Sequence, residues 1–239
     1  MVEKESRIFG RNPVKEALLT NRVKSIFLVE GFSFKEILNL IHEKHIPVTY
    51  LSNREMNNMF DGVHQGVAAV IKNYEYYSLD SLIHTAKKQE HPVIVILDGI
   101  NDPHNLGAIM RSCDVFNASG IIISKHYQVP LNATVAKTSV GAINYVPVAL
   151  VNNLNQAIDE LKKEGFWIVA TDGSASTNYQ DLQYDFSVAL IIGSEGEGVS
   201  KLVLKNSDYV VKIPEHGHIH SLNASVAAGI LLAKIKEND

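Results

Sequence analysis

Ile213-Pro-Glu-His-Gly-His-Ile-His-Ser-Leu-Asn-Ala-Ser-Val-Ala-Ala-Gly-Ile-Leu-Leu, residues 213–232, decides how the chain is read. The stretch Tyr209-Val-Val-Lys-Ile213 predicts a strand, and a polar, glycine-containing turn follows. The turn ends in Ser221-Leu222-Asn223, where a helix of small residues begins. Strand, polar turn and helix N-terminus together present main-chain N–H and C=O groups to a ligand. Small residues over 224–229 let another backbone come close. Ser221 and Asn223 can bind a substrate or cap the helix.

Upstream, 92–97 is a continuous apolar run, the signature of a strand buried on both faces. Further strands are expected at 120–123, 146–150, 166–170 and 188–192. Helices are expected at 106–116, 132–140, 154–164 and 223–236. The alternation predicts a mostly parallel sheet with helices on both faces, which takes ligands at the C-terminal ends of its strands.

Two loops at such ends stand out. After the first strand comes Asp98-Gly-Ile-Asn-Asp-Pro-His-Asn-Leu-Gly-Ala-Ile-Met-Arg, ending at Arg111. Asp102-Pro103 reads as a turn, Asn105 or His104 as a helix cap, and Gly107 as a point of close approach. Arg111 is either a solvated cation or one that swings back to the helix N-terminus to meet a phosphate. After 188–192 comes Gly193-Ser-Glu-Gly-Glu-Gly. It lacks the Gly-Lys-Ser/Thr of a triphosphate cradle and the Gly-x-Gly-x-x-Gly of a dinucleotide site. Glu195 is a carboxylate in the stretch from Gly193 to Gly196, in a plain turn or in a site.

The first 74 residues alternate strands (25–29, 47–51, 67–71) with helices. One helix is expected after Asn12 as cap, with Val14, Ala17 and Leu18 inward. A second is expected over 34–44, and a third over 53–60 behind Ser52 or Asn53, before an Asp61-Gly62 turn. This predicts a small α/β domain at 1–74. Residues 75–91 read as a linker carrying a short amphipathic helix, and 92–239 as the main domain.

Composition narrows the class. Of 239 residues, 46% are hydrophobic and 20% charged, as in an ordinary globular protein. The one cysteine, Cys113, excludes an intrachain disulfide and a cysteine-based zinc site. That usage and the absence of an apolar leader point to a reducing, cytoplasmic setting. No apolar run approaches the ~20 residues of a membrane span. Net charge is −4. Residues 1–74 are nevertheless net +2 and the remainder net −6, which makes the N-terminal part the better candidate for an RNA contact. His216, His218 and His220 alternate as metal ligands could, but no fourth ligand accompanies them, and rim or RNA-facing histidines are expected.

Asp-Pro-His-Asn-Leu-Gly-Ala-Ile-Met-Arg (102–111), Ile-Ile-Gly-Ser-Glu-Gly-Glu-Gly (191–198) and Ile-Pro-x-x-Gly-x-x-x-Ser-Leu-Asn-Ala-Ser-Val-Ala (213–227) resemble, in order and spacing, the three motifs of the SpoU (TrmH-type) 2′-O-ribose RNA methyltransferases of the SPOUT superfamily. The layout is most similar to the bacterial 23S rRNA guanosine 2′-O-methyltransferase group. Two positions depart from the pattern: Glu215 stands where the family usually has Met, and Ala224 where it often has Val.

The resemblance implies an L30e-like RNA-binding domain at the N-terminus and an α/β SPOUT domain closed by a deep C-terminal trefoil knot, a topology that connection rules alone would disfavour. It implies S-adenosyl-L-methionine as methyl donor, held by main-chain groups of Gly193, Ile213 and Leu222. Asn105, Arg111, Glu195, Ser221 and Asn223 match the family's polar active-site positions, and no metal is required. It implies a homodimer acting on structured RNA, 23S rRNA by analogy. Transfer RNA, or RNA binding without catalysis, remain the alternatives. In this reading Arg111 pins a phosphate, Ser221 and Asn223 align the ribose, and Glu195 holds Asn105 or Arg111.

Overall fold

A computed structural model of the chain describes residues 6–60, 62–218 and 221–237. Asp61 of the expected turn and His220 of the alternating histidines lie outside them. The chain divides into two compact units, Met1–Glu75 and Tyr76–Asp239.

The first unit runs β1 (Ser6–Phe9), α1 (Arg11–Leu19), β2 (Val23–Val29), α2 (Lys35–Glu43), β3 (Val48–Leu51), α3 (Asn53–Met59) and β4 (Val67–Ile71). Its sheet has the order β1-β4-β2-β3. β4 is antiparallel to both neighbours and buried throughout, because helices cover both faces. Val14, Leu18, Ile37 and Ile41 pack on one side, and Met56 and Phe60 on the other.

Asn12 does not cap α1. The helix begins two residues earlier than that cap would allow, at Arg11 behind Gly10. Gly10 has φ 95°, which turns the chain from strand to helix without a capping side chain. The Gln65 side chain takes the Arg11 N–H instead, at 3.0 Å. Ser52 does cap α3, in a reciprocal pair with Glu55.

The second unit opens with α4 (Leu79–Ala86), inside the segment read as linker. Its Leu82, Ile83 and Ala86 join the core with Ile94, Ile122 and Ile158. There follow β5 (Val93–Asp98), α5 (Pro103–Val115), β6 (Gly120–Ser124), α6 (Ala133–Thr138), β7 (Val148–Val151), α7 (Leu154–Lys163) and β8 (Trp167–Thr171). After these come β9 (Thr177–Asn178), β10 (Val188–Gly193), α8 (Lys201–Lys205), β11 (Tyr209–Lys212) and α9 (Ala224–Ile235). The seven strands are all parallel, in the order β7-β6-β5-β10-β8-β11-β9. β9 and α8 are too short for periodicity to reveal.

The strand order reverses beside β5, with β6 and β7 on one side and β10 on the other. The C-terminal edge between β5 and β10 is therefore a topological switch point, where parallel sheets form ligand crevices. α9 lies along α5, and a Cβ built on Gly229 would stand 3.7 Å from Ser112 Oγ. The small helix face thus packs within the chain. No helix among the described residues is long and apolar enough to cross a membrane.

Candidate active site

β5 ends at Asp98, whose carboxylate accepts the Ser200 N–H at 2.8 Å. The following loop brings the chain to Asp102, which caps α5 by accepting the His104 N–H at 2.8 Å. The cap is therefore neither Asn105 nor His104. Pro103 carries no N–H and has its φ preset, so it takes the first helical position and the residue before it becomes the cap. Asn105 then falls in the first turn with its amide unused by the helix. The close approach at Gly107 is to protein: a Cβ there would lie 2.2 Å from Thr138 Oγ1.

β10 leads into the glycine loop. Ser194 and Gly198 exchange main-chain hydrogen bonds at 3.2 and 2.9 Å, closing residues 194–198 into a tight turn. A Cβ on Gly193 would sit 2.1 Å from the Gly198 carbonyl carbon, so only glycine fits against the returning strand. Glu195 is held at the exposed tip.

Asn223 joins the three loops. Its side-chain oxygen caps α9, accepting from Ser225 N at 2.9 Å, Ser225 Oγ at 2.6 Å and Val226 N at 3.3 Å. Its Nδ2 donates to Asn105 Oδ1 at 2.9 Å and to Glu195 Oε1 at 2.5 Å. Asn105 Nδ2 closes the triangle on Glu195 Oε1 at 2.8 Å. Capping and cross-loop binding, alternatives in the sequence, hold together in one side chain.

A cavity of about 320 Å³ opens beside this triangle. Gly193, Glu195, Ile213, Ser221 and Leu222 line it, with Ala224 at the start of α9. Neither Ile213 nor Leu222 uses its main-chain N–H in a hydrogen bond among the described residues. Arg111 stands apart. It is exposed on α5, and among the described residues nothing pairs with it. Glu195 holds Asn105 and Asn223 rather than Arg111.

Thr171, Asp172 and Lys212 also line the cavity and were missed in the sequence. Asp172 is held below the ordinary carboxyl range, first by the Ser174 hydroxyl and then by the Ser174 N–H. The Asp172-Gly-Ser turn directly after a strand was the available signal. Among the described lining residues Lys212 is the one cation, facing Asp172, Glu195, Glu197 and Glu215 around the same cavity. His216 and His218 are exposed, and no cluster of three metal-ligating side chains occurs among the described residues.

Comparison with known proteins bears on this geometry. Residues 92–233 match the model of the SpoU rRNA methylase family, and residues 7–77 match that of an RNA 2′-O ribose methyltransferase substrate-binding domain. A Staphylococcus aureus (strain MSSA476) protein named for the TrmH family of tRNA/rRNA methyltransferases is 42% identical over 233 residues, covering 95% of this chain and 94% of the relative. Among solved structures, the SpoU methyltransferase AviRb from Streptomyces viridochromogenes superposes with a TM-score of 0.74 at 24% identity, over 98% of this chain and 89% of that one. AviRb has also been solved in complex with AdoMet. An AdoMet-bound rRNA methyltransferase from Sinorhizobium meliloti gives a TM-score of 0.70 at 24% identity, over 98% and 87% of the two chains. With both parts of the chain matched and the three motif loops tied through Asn223, the chain belongs to the SpoU rRNA methylase family.

Proposed function

We propose that the chain transfers a methyl group from S-adenosylmethionine to a ribose 2′-hydroxyl of RNA, with a guanosine of 23S rRNA as target. The observation that carries this reading is the Asn105–Glu195–Asn223 triangle, which fixes three separate loops around one cavity. The cavity suits the donor. Its volume is at the lower end of small-molecule sites. The free N–H groups of Ile213 and Leu222 can meet an adenine or a carboxylate, and the surrounding carboxylates suit a cation. The donor, when bound, supplies a methyl group already activated by a sulfonium charge, so no metal is needed.

The protein's task is then the nucleophile. A 2′-hydroxyl is a weak acid and must lose its proton as it attacks. A guanidinium stays protonated in proteins, so Arg111 is assigned to hold the adjacent phosphate, orient the hydroxyl and stabilise the developing negative charge. Its freedom from protein partners supports that role, because it can reach toward RNA. The proton passes to the phosphate or to water, and positioning carries much of the rate. Asn223 has both amide donors committed to Asn105 and Glu195, which leaves Ser221 to meet the ribose. Asn223 and Glu195 act as positioning residues.

The knot and the homodimer belong to the same proposal. The packing of α9 on α5 supports a threaded C-terminus. Val115 on α5 and Val226 on α9, 68% and 49% exposed, offer apolar surface to a second copy. The deciding experiment maps 2′-O-methyl groups in ribosomal and transfer RNA from cells with and without the gene. Loss of one 23S guanosine methyl is expected. A methyl lost from transfer RNA instead would overturn the target, and calorimetry showing no S-adenosylmethionine binding would overturn the activity.

A further inference from the structure

The same edge of the parallel sheet carries a second cavity, of about 630 Å³. Asp98 at the end of β5, Ser124 at the end of β6 and Asn152 just after β7 line it, together with Tyr127, Asn155 and Ser200. It shares a wall with the first cavity. Asp98 is the register partner of Gly193, so the two mouths begin on strands about 5 Å apart. A Cβ on Gly99 would lie 3.6 Å from Ser194 Cβ. The glycine loop passes from Val199 on the first cavity to Ser200 on the second.

Tyr127 is the unusual member. It is 90% exposed, and its backbone is left-handed at φ 56°, a conformation that bulky L-residues rarely adopt. Both flanks hold it there. The Ser124 hydroxyl donates to the His126 carbonyl. On the other side Ile100 N donates to Gln128 Oε1 at 2.9 Å, and Val129 N donates to Ile100 O at 3.0 Å. A strained backbone persists only where its surroundings over-determine it, and such positions cluster at binding sites. Here the strain presents an aromatic ring to solvent, where it adds nothing to the core.

The walls say what the ring meets. Among the described lining residues there is no lysine or arginine, and the one basic group, His126, shares the cavity with the Asp98 carboxylate, which disfavours a phosphate. Asp98 Oδ1 and the Asn152 amide have no partner among the described residues, whereas Asp98 Oδ2 accepts from Ser200 N. A ring to stack on, beside a carboxylate and an amide, matches a nucleobase with its π-face and its hydrogen-bonding edge.

We propose that this cavity holds a nucleobase of the RNA substrate, stacked on Tyr127 and read along its edge by Asp98 and Asn152. The proposal rests on the reading that the chain methylates RNA. Tyr127→Ala and Tyr127→Phe are compared with the wild type in methyl transfer to unmodified ribosomal and transfer RNA transcripts. Calorimetry measures S-adenosylmethionine affinity on the same preparations. Removal of one stacking partner should lower kcat/KM for RNA about tenfold or more in Tyr127→Ala, while Tyr127→Phe stays within about twofold of wild type. Donor affinity should not change in either.

The proposal is overturned if Tyr127→Ala matches the wild type on RNA, or if Tyr127→Phe is as poor as Tyr127→Ala. It is equally overturned if Tyr127→Ala dissociates a dimer, since a second copy would then cover the ring. A wild-type chain that methylates no RNA at all sinks the underlying reading, whereas full RNA activity in Tyr127→Ala sinks the nucleobase site alone.

Discussion

Asn223 donates a hydrogen bond to Glu195 at 2.5 Å while its own side-chain oxygen caps α9. One residue thereby couples the start of the last helix to the glycine loop. Asn105 adds the third corner, so the first turns of α5 and α9 are fixed against the same carboxylate. A change at any corner should shift the cavity wall without unfolding the protein.

Glu195→Gln tests that coupling. The glutamine oxygen can still accept both bonds, but the charge that strengthens them is lost, a difference of about 1 kcal/mol per bond. Exposure of Glu195 limits the effect on folding to about 0.5 kcal/mol. Steady-state kinetics should show methyl transfer reduced about tenfold or more, with thermal unfolding almost unchanged. A large fall in melting temperature would mean that the triangle supports the fold rather than the site.

Arg111→Ala should abolish methyl transfer and leave S-adenosylmethionine binding intact, since Arg111 does not line the donor cavity. Arg111→Lys should also be poor, because an ammonium cannot hold a phosphate in a planar fork. Calorimetry and a methylation assay on the same samples separate the two functions. Joint loss of binding and activity would refute the division of roles.

Glycines in the second unit should differ sharply in tolerance. Gly193→Ala and Gly107→Ala place a Cβ within 2.1 and 2.2 Å of the Gly198 backbone and the Thr138 side chain. Overpacking of this kind destabilises by about 1–3 kcal/mol. Gly173 has nothing within 4 Å of its Cβ position, and Gly173→Ala should fold as the wild type. Urea midpoints of the three variants check the order, and equal midpoints would contradict the close contacts.

Cys113 should be silent in the native state. It is fully buried, and burial followed by the nearby Asp114 charge pushes its thiol above the ordinary range. A raised thiol pKa keeps the group neutral at moderately alkaline pH, and only the thiolate reacts. Ellman's reagent should therefore detect no thiol in the folded protein and one per chain in guanidinium. Rapid native labelling would show that α5 opens.

Much of the fold was legible from local pattern. The run at 92–97 reads as a strand buried on both faces because nothing polar interrupts it, and β5 is that strand. Leu82, Ile83 and Ala86 recur at helical spacing, and α4 buries all three. Besides the short β1, β9 and α8, the failures were at helix starts. Both Asn12 and Asn105 are good capping residues by type, but Gly10 and Asp102 occupy the caps. A cap depends on where the preceding strand releases the chain, which side-chain preference does not record.

The sequence by itself determined the parallel α/β architecture, the residues able to carry the site and the resemblance that named the family, because hydrophobic period and motif chemistry are local properties of the chain. Only the tertiary structure decided which of those residues meet. It joined Asn105, Glu195 and Asn223, left Arg111 without a partner among the described residues, and raised Tyr127 beside a cavity that no motif marked. Contacts across 90 and 118 residues exist only once parallel strands bring their C-terminal ends to a common edge.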